Sequence, residues 1–273
     1  MTAAQAADTV LLVGAGRMGG AMLRGWLAQG IPGHRMAVLE PAPAPALAAL
    51  CGEGGVALNP DEPRPPDTLL LAVKPQGLDA AAPGIAPWAG PDTTVVSILA
   101  GRSLRDLAAL FPRAAGIVRA MPNLPAAVGR GVTGMASDGR PSAEALARVT
   151  RWLGAVGGVE VLADEDAIDV VTAVSGSGPA YAFLLAEVLA KAGARLGLPP
   201  AVAARLGRAT LEGAGELLHR SPDVDPAILR QNVTSPGGTT AAALAVLMEG
   251  DAMERLLDRA VAAAHERARQ LGA

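Results

Sequence analysis

Short runs rich in aliphatic and β-branched residues alternate with helix-like segments over the first part of the chain. The runs are Thr9 to Val13, Met36 to Leu39, Thr68 to Val73, Thr94 to Ile98, Gly116 to Met121, Val132 to Ala136 and Val159 to Leu162. This alternation predicts a mainly parallel, doubly wound sheet covered by helices. Ser103-Leu104-Arg105-Asp106 predicts a capping box at the start of one covering helix, and Pro63, Pro65 and Pro66 confine the approach to the third run to loop.

After Asp164 the strand pattern stops. Helical periodicity predicts segments over Glu165 to Val174, Pro179 to Leu196, Ala201 to Leu218, Thr239 to Glu249 and Asp251 to Leu271, with Pro179 near a first helical position and Gly197 and Gly250 as stops. The expected organisation is therefore an α/β nucleotide-binding domain over residues 1–164 and an all-helical domain over residues 165–273. The helical faces are built from Ala, Leu and Val, with Tyr181 and Phe183 as the only aromatics. Pairing with a second copy would supply the bulk such a domain lacks, and a tightly packed monomer is the alternative.

Composition narrows the partners. A formal charge of -3 and a pI near 5.7 provide no basic face for a nucleic acid. The apolar stretch Ala180 to Ala190 carries Glu187 and is too short to span a bilayer, and the N-terminus has no positively charged leader pattern, so a cytoplasmic setting is expected. Cys51 is the only cysteine, and His34, His219 and His265 lie far apart without ligand spacing, which leaves no set for structural zinc. His34 and Arg35 read as surface charges.

Candidate chemistry begins at Gly14-Ala15-Gly16-Arg17-Met18-Gly19, between the first strand and an amphipathic helix. The glycines allow a tight turn, close approach of a pyrophosphate and close helix-strand packing, which predicts dinucleotide binding. Arg17 either offers charge to the pyrophosphate or is solvated. Glu40 ends the second strand, where a carboxylate accepts hydrogen bonds from ribose hydroxyls and repels a 2′-phosphate, so taken by itself it favours NADH. Lys74 follows the third run and either binds a ribose or phosphate or is pinned there by Pro75. Ala72 to Pro75 and Ile98-Leu99-Ala100 sit at carboxyl ends of strands, where ligands bind in such sheets. Asn123 either bonds the nicotinamide amide or shapes its own turn.

The second candidate is Asn232-Val233-Thr234-Ser235-Pro236-Gly237-Gly238-Thr239-Thr240, running into an apolar helix. Bare backbone ahead of a helix N-terminus suits a carboxylate or phosphate, and a glycine-rich turn with a threonine N-cap is the plain alternative.

Together Gly14 to Gly19, Leu71 to Gln76, Met121 to Pro125, Ser175 to Tyr181 and the Thr234 to Thr240 loop closely resemble pyrroline-5-carboxylate reductases, from Val10 to Gly272. The resemblance implies a Rossmann domain followed by a helical dimerisation domain, and reduction of a cyclic imine to L-proline with NADPH or NADH. It implies that Ala72, Val73, Lys74, Pro75, Ile98, Leu99 and Ala100 face the cofactor. Asn59 falls on the adenosine side and Asn232 touches the cofactor near the opposite subunit. It also implies that Ser235, Gly237, Gly238, Thr239 and Thr240 hold the substrate with Glu165, in a homodimer or an oligomer of dimers. Leu124 departs from the family's usual threonine, and Glu40 from a serine or arginine.

In the mechanism these residues allow, amides of Gly237, Gly238 and Thr239 fix the substrate carboxylate and the Thr240 hydroxyl bonds the ring nitrogen. Gly176 and Gly178 more simply let a helix start approach the cofactor than bring Ser177 and Tyr181 to the site. A β-hydroxyacid dehydrogenase is the nearest rival, but the Gly176 to Tyr181 turn offers no lysine for that chemistry, and Lys191 lies turns away. A non-catalytic dinucleotide sensor is the other.

Overall fold

The computed structural model describes residues 8–272. The chain forms two compact units, one running to Ser177 and taking up the chain again from Ala264, the other spanning Gly178–Ala263.

The first unit is built on one sheet of β1 (Val10–Val13), β2 (Met36–Leu39), β3 (Ala57–Leu58), β4 (Thr68–Leu71), β5 (Thr94–Ser97), β6 (Gly116–Pro122), β7 (Gly131–Ser137) and β8 (Gly157–Val161). Their order is β3-β2-β1-β4-β5-β6-β7-β8. Every pair is parallel except β6 with β7, where Val118 faces Ser137 across an antiparallel ladder. The helices α1 (Arg17–Ala28), α2 (Pro45–Gly54), α3 (Leu78–Ile85), α4 (Leu104–Leu110) and α5 (Ala143–Gly154) belong to this unit.

Alternation within β1 shows how the sheet is covered. Leu12 packs with Met22, Trp26, Val38 and Trp152 on one face, while Leu11 and Val13 pack with Leu69, Leu78, Trp88 and Phe111 on the other. Burial of both faces explains why these strands carry no polar side, and each buried leucine contributes about 2 kcal/mol. Ser103 Oγ accepts the Asp106 amide at 3.1 Å and Asp106 Oδ2 accepts the Ser103 amide at 3.3 Å, which forms the expected capping box on α4. The Ser103 hydrogen bonds hold the Asp106 carboxyl below its usual range, against a smaller opposing effect of burial.

Several expectations are corrected. β3 follows α2 as a pair of residues bonded to β2, too short to show a pattern. Arg35 is no mere surface charge: its Nε donates to Asp8 O at 2.7 Å and its guanidinium lies 5.7 Å from the Trp152 ring. The expected boundary at residue 164 is not one of them; beyond it α6 (Ala167–Val171) packs with the first unit. Ile168 is buried against Met121 and Ala136, and Val171 covers Gly134 so closely that a Cβ there would meet Val171 Cγ2 at 2.8 Å. A π turn, Thr172–Gly176, follows.

The second unit comprises α7 (Gly178–Arg195), α8 (Pro200–Arg220), α9 (Pro226–Asn232), α10 (Thr239–Met248) and the first part of α11 (Ala252–Gly272). The short helix α9, opened by Asp225 capping the Ala227 amide at 2.7 Å, is an addition to the expected set. α7 and α8 meet where Gly207 lets backbones approach: a Cβ on it would lie 2.7 Å from Ala186 O. Phe183, Leu196, Val246 and Leu256 stay exposed. The helical run Ala167–Arg195 is, by length and composition, long and apolar enough to cross a membrane, which the narrower Ala180 to Ala190 stretch does not suggest.

A buried ionic cluster fixes the start of β1. Asp8 accepts from Arg148 Nε at 3.1 Å and Arg151 Nη2 at 2.5 Å, and Thr9 donates through both N and Oγ1 to Asp67 Oδ2 at 2.8 Å. Asp8→Ala leaves these arginines without their shared anion. It should lower stability by about 3 kcal/mol, seen as a reduced urea midpoint at unchanged slope. A midpoint equal to that of the natural chain would show that water serves the arginines equally well.

Candidate active site

The turn after β1 is shaped by what it cannot contain. Gly14 has φ +89 and donates its amide to Leu39 O at 2.8 Å. A Cβ on Gly14 would lie 2.8 Å from Ala72 O, and one on Gly19 would lie 2.2 Å from Gly14 O and 3.1 Å from Ala72 Cβ. Gly16 differs, because a Cβ there would meet nothing within 4 Å. Two of these glycines are therefore needed for packing, and the third faces open space at the N-terminus of α1, which no side chain caps. The arrangement fits a pyrophosphate against bare amides. Arg17 is exposed beside it, and Met18 packs onto the core.

Neighbouring strand ends surround this turn. Glu40 Oε2 accepts the Ala15 amide at 3.0 Å, which ties the end of β2 to the glycine turn. Asn59, at φ +49, accepts Glu40 N through Oδ1 at 2.8 Å and donates Nδ2 to Glu40 O at 2.9 Å. Its amide thus holds Glu40 in place, whatever it adds on the adenosine side. Ala72 donates its amide to Val13 O at 2.7 Å and lies against the turn, while Val73 packs onto the core beneath and Lys74 is exposed. Arg102, not anticipated, reaches Pro75 O at 3.4 Å and pairs with Asp79, bracing the Lys74-Pro75 segment from the next loop. Ile98 and Ala100 are half-buried, whereas the Leu99 side chain is 3% exposed in the core, so only its backbone is available to a ligand.

Glu165 also belongs to the first unit. Its Oε1 accepts Arg119 Nη1 at 2.6 Å and the Leu104 amide at 2.7 Å, and Arg119 Nη2 lies 3.8 Å from Asp169. One carboxylate oxygen is committed to the protein, and Oε2 is the atom left for a substrate role. The signal for Arg119 is its place as a lone charge inside the apolar run Gly116 to Met121. Asn123 is 8% exposed, accepts the Val132 amide at 2.9 Å and donates to Ser175 O at 3.1 Å. It joins β7 to the π turn, which is the turn-shaping alternative, and a nicotinamide contact has to share that amide.

In the second unit, α9 ends and Asn232 and Ser235 are exposed. Gly237 has φ +68, and Gly238 donates its amide to Ser235 O at 3.0 Å. The N-cap of α10 is Gly238, without a side-chain cap, so the threonine cap of the plain alternative does not form, and the helix begins at Thr239 as expected. The donor set shifts accordingly. Gly238 N is engaged within the turn, and the uncapped helix start leaves the amides of Thr239, Thr240 and Ala241 without intrahelical partners.

A doubly wound sheet with a glycine-rich first turn and a carboxylate held at the end of β2 defines the dinucleotide-binding half of an oxidoreductase. Residues 9–101 match the family described as NADP oxidoreductase coenzyme F420-dependent, and residues 165–271 match that described as pyrroline-5-carboxylate reductase dimerisation. The chain is 37% identical to the pyrroline-5-carboxylate reductase of Pseudomonas aeruginosa, over 96% of each chain. It is 44% identical to that of Synechocystis over 76% of this chain and 75% of the relative. The solved pyrroline-5-carboxylate reductase of Coxiella burnetii superposes with a TM-score of 0.89 at 31% identity, covering 97% of this chain and 99% of that one. The Plasmodium falciparum pyrroline carboxylate reductase with NADP bound superposes at 0.79 with 26% identity, covering 97% and 98%. The chain belongs to the pyrroline-5-carboxylate reductase family.

The glycine geometry separates packing from binding. Gly16→Ala should keep the melting temperature within about 2 °C while weakening dinucleotide binding at least tenfold, because its methyl occupies only ligand space. Gly19→Ala should instead destabilise the fold, by about 2 kcal/mol, through collision with Gly14 O. Thermal melts and coenzyme titrations of both variants check the contrast; equal effects on both readouts would overturn it.

Proposed function

We propose that this chain reduces the imine of 1-pyrroline-5-carboxylate to L-proline, the last step of proline biosynthesis, at the expense of NADPH or NADH. The observation that carries this reading is the Gly14 to Gly19 turn, with open space over Gly16, in the same chain as an uncapped helix start at Thr239 to Ala241. The first suits a dinucleotide pyrophosphate and the second a small carboxylate.

The reduced nicotinamide, when bound, supplies a hydride to the imine carbon. Everything else falls to the chain. The amides of Thr239, Thr240 and Ala241, aided by the α10 dipole, orient the substrate carboxylate and thereby select which face of the ring is presented. Thr240 bonds the ring nitrogen, which arrives protonated or takes its proton from water, so no strong acid is needed. Glu165, the acidic residue that the family resemblance associates with the substrate, is anchored by Arg119 and the Leu104 amide. In this reading Ala72 to Pro75 and Ile98 to Ala100 flank the cofactor, Lys74 offers its charge to the sugars or phosphates, and Asn232 is the further contact that the family resemblance assigns. Asn123 acts chiefly by holding the π turn at Ser175.

Homodimerisation through the helical unit is part of this reading, with an oligomer of dimers as the alternative assembly. The exposed Phe183 and Leu256 support it. A cytoplasmic setting is supported by the single free thiol of Cys51, which burial pushes up and makes unreactive.

An NADPH and NADH oxidation assay with pyrroline-5-carboxylate tests the activity, and absence of turnover with both coenzymes would sink it. Thr240→Val should lower kcat about 10- to 100-fold, the effect of deleting a hydrogen bond to a charged group; near-normal turnover would remove the nitrogen contact. Phe183→Asp should shift the chain toward monomer in analytical ultracentrifugation, and an unchanged sedimentation coefficient would place the pairing face elsewhere.

A further inference from the structure

The end of β2 carries more than a generic ribose contact. Glu40 is fixed from three directions: its Oε2 accepts Ala15 N at 3.0 Å, its backbone is clamped by the Asn59 amide at 2.8 and 2.9 Å, and Ala42 N lies 3.4 Å from Oε1. Asn59 holds this clamp at a positive φ of 49. A flexible acidic side chain could swing aside for an incoming phosphate. This one is anchored to the same turn that receives the pyrophosphate.

The segment after Glu40 is equally one-sided. Up to the first turn of α2 it reads Pro41-Ala42-Pro43-Ala44-Pro45-Ala46. No side chain in it can donate a hydrogen bond or carry a positive charge. Its prolines lack N–H groups, so it cannot form a continuous nest of amides, and Ala42 N already leans toward Glu40. A 2′-phosphate bears a charge of about -1.5 to -2 and needs such donors. Ribose hydroxyls need only an acceptor, which Glu40 provides. Arg17, the one cation of the Gly14 to Gly19 turn, serves at most the pyrophosphate that both coenzymes share.

We infer that this chain selects NADH over NADPH, and that Glu40, held by Ala15 and Asn59 and followed by a donorless proline-alanine loop, is the residue that sets the preference. The selection works by exclusion: a fixed carboxylate faces the 2′ position, and the Pro41 to Ala46 segment after it offers no cation to compensate a second negative charge. The inference rests on dinucleotide binding at the glycine turn, and its test reads binding as well as turnover.

Titration of the intact protein by nicotinamide fluorescence should give an affinity for NADH at least tenfold above that for NADPH, and ADP-ribose should compete better than its 2′-phosphorylated form by a similar factor. Glu40→Gln keeps an oxygen for Ala15 N but removes the charge. It should bring the two affinities within about threefold, chiefly by tightening NADPH. In the natural sequence the ratio should also narrow as salt rises from about 0.05 to 0.5 M, since screening weakens repulsion while contacts common to both coenzymes cancel. That measurement holds even if the variant fails to fold. Equal or tighter binding of NADPH by the natural protein, or a ratio insensitive to both the substitution and salt, overturns the inference while leaving dinucleotide binding intact. Binding of neither coenzyme overturns both.

Discussion

The nucleotide-binding unit depends on a contact made without side chains. Where β1 ends, the chain must turn into α1 directly against the end of β4, and there is no room between them: a methyl on Gly19 would sit 2.2 Å from Gly14 O, and one on Gly14 would meet Ala72 O at 2.8 Å. The glycines let backbone pack on backbone and point the start of α1 out of the sheet edge. Once that geometry is set, the rest is placed by ladder register. Val13 pairs with Leu39 on one side and Leu71 on the other, so Glu40 and Ala72 necessarily flank the turn. Binding groups on three strands are aligned by one steric constraint, with the hydrophobic faces of the sheet supplying the stability that holds it.

Polar side chains divide into those that build this frame and those left for a ligand. Asp8, Asp67 and their arginines serve the amino ends of the strands. At the carboxyl ends Arg102 braces the Lys74-Pro75 segment, Arg119 holds Glu165, and Asn123 ties β7 to the π turn. Where the partner is buried, as for Asp8, Arg119 and Asn123, release would leave it unsatisfied, so the geometry there is stiff. Lys74, Arg17 and Asn232 are exposed and free to adapt. Glu165 stands between the two classes, with one oxygen in the frame and one outside it.

The two-period pattern of the strands and the glycine spacing make most of the nucleotide-binding unit legible in the sequence. Long apolar runs announce themselves because burial on both faces disfavours polar residues, with Thr68, Thr94 and Arg119 as exceptions. The elements missed are those that periodicity cannot reach: β3 has only Ala57 and Leu58, and α9 is a short helix begun by a capping aspartate. Partners are equally hidden. Nothing in the sequence says that Glu165 meets Leu104 N, that Asn123 has both ends of its amide engaged, or that Leu99 is buried in the core while Ile98 and Ala100 are only half-buried against it. At the Thr234 to Thr240 loop the residue types are readable and the register is not. Placing the cap at Gly238 instead of a threonine moves the available amides toward Ala241, because Gly238 N closes the turn onto Ser235 O.

The helical unit poses the opposite problem from the sheet. Its closest contact, Gly207 against Ala186 and Ala190, joins small residues and therefore buries little area, while Phe183, Leu196, Val246 and Leu256 remain exposed on a single copy. Chain entropy opposes ordering of each of its residues by about 1 to 2 kcal/mol, and small-residue packing alone offsets little of that. The apolar surface that a dimerisation segment leaves open is thus the larger part of its stabilising potential, realised only on association. Pairing that covered this surface would add to the stability of the unit and make it rise with protein concentration, whereas the sheet is buried on both faces within one chain.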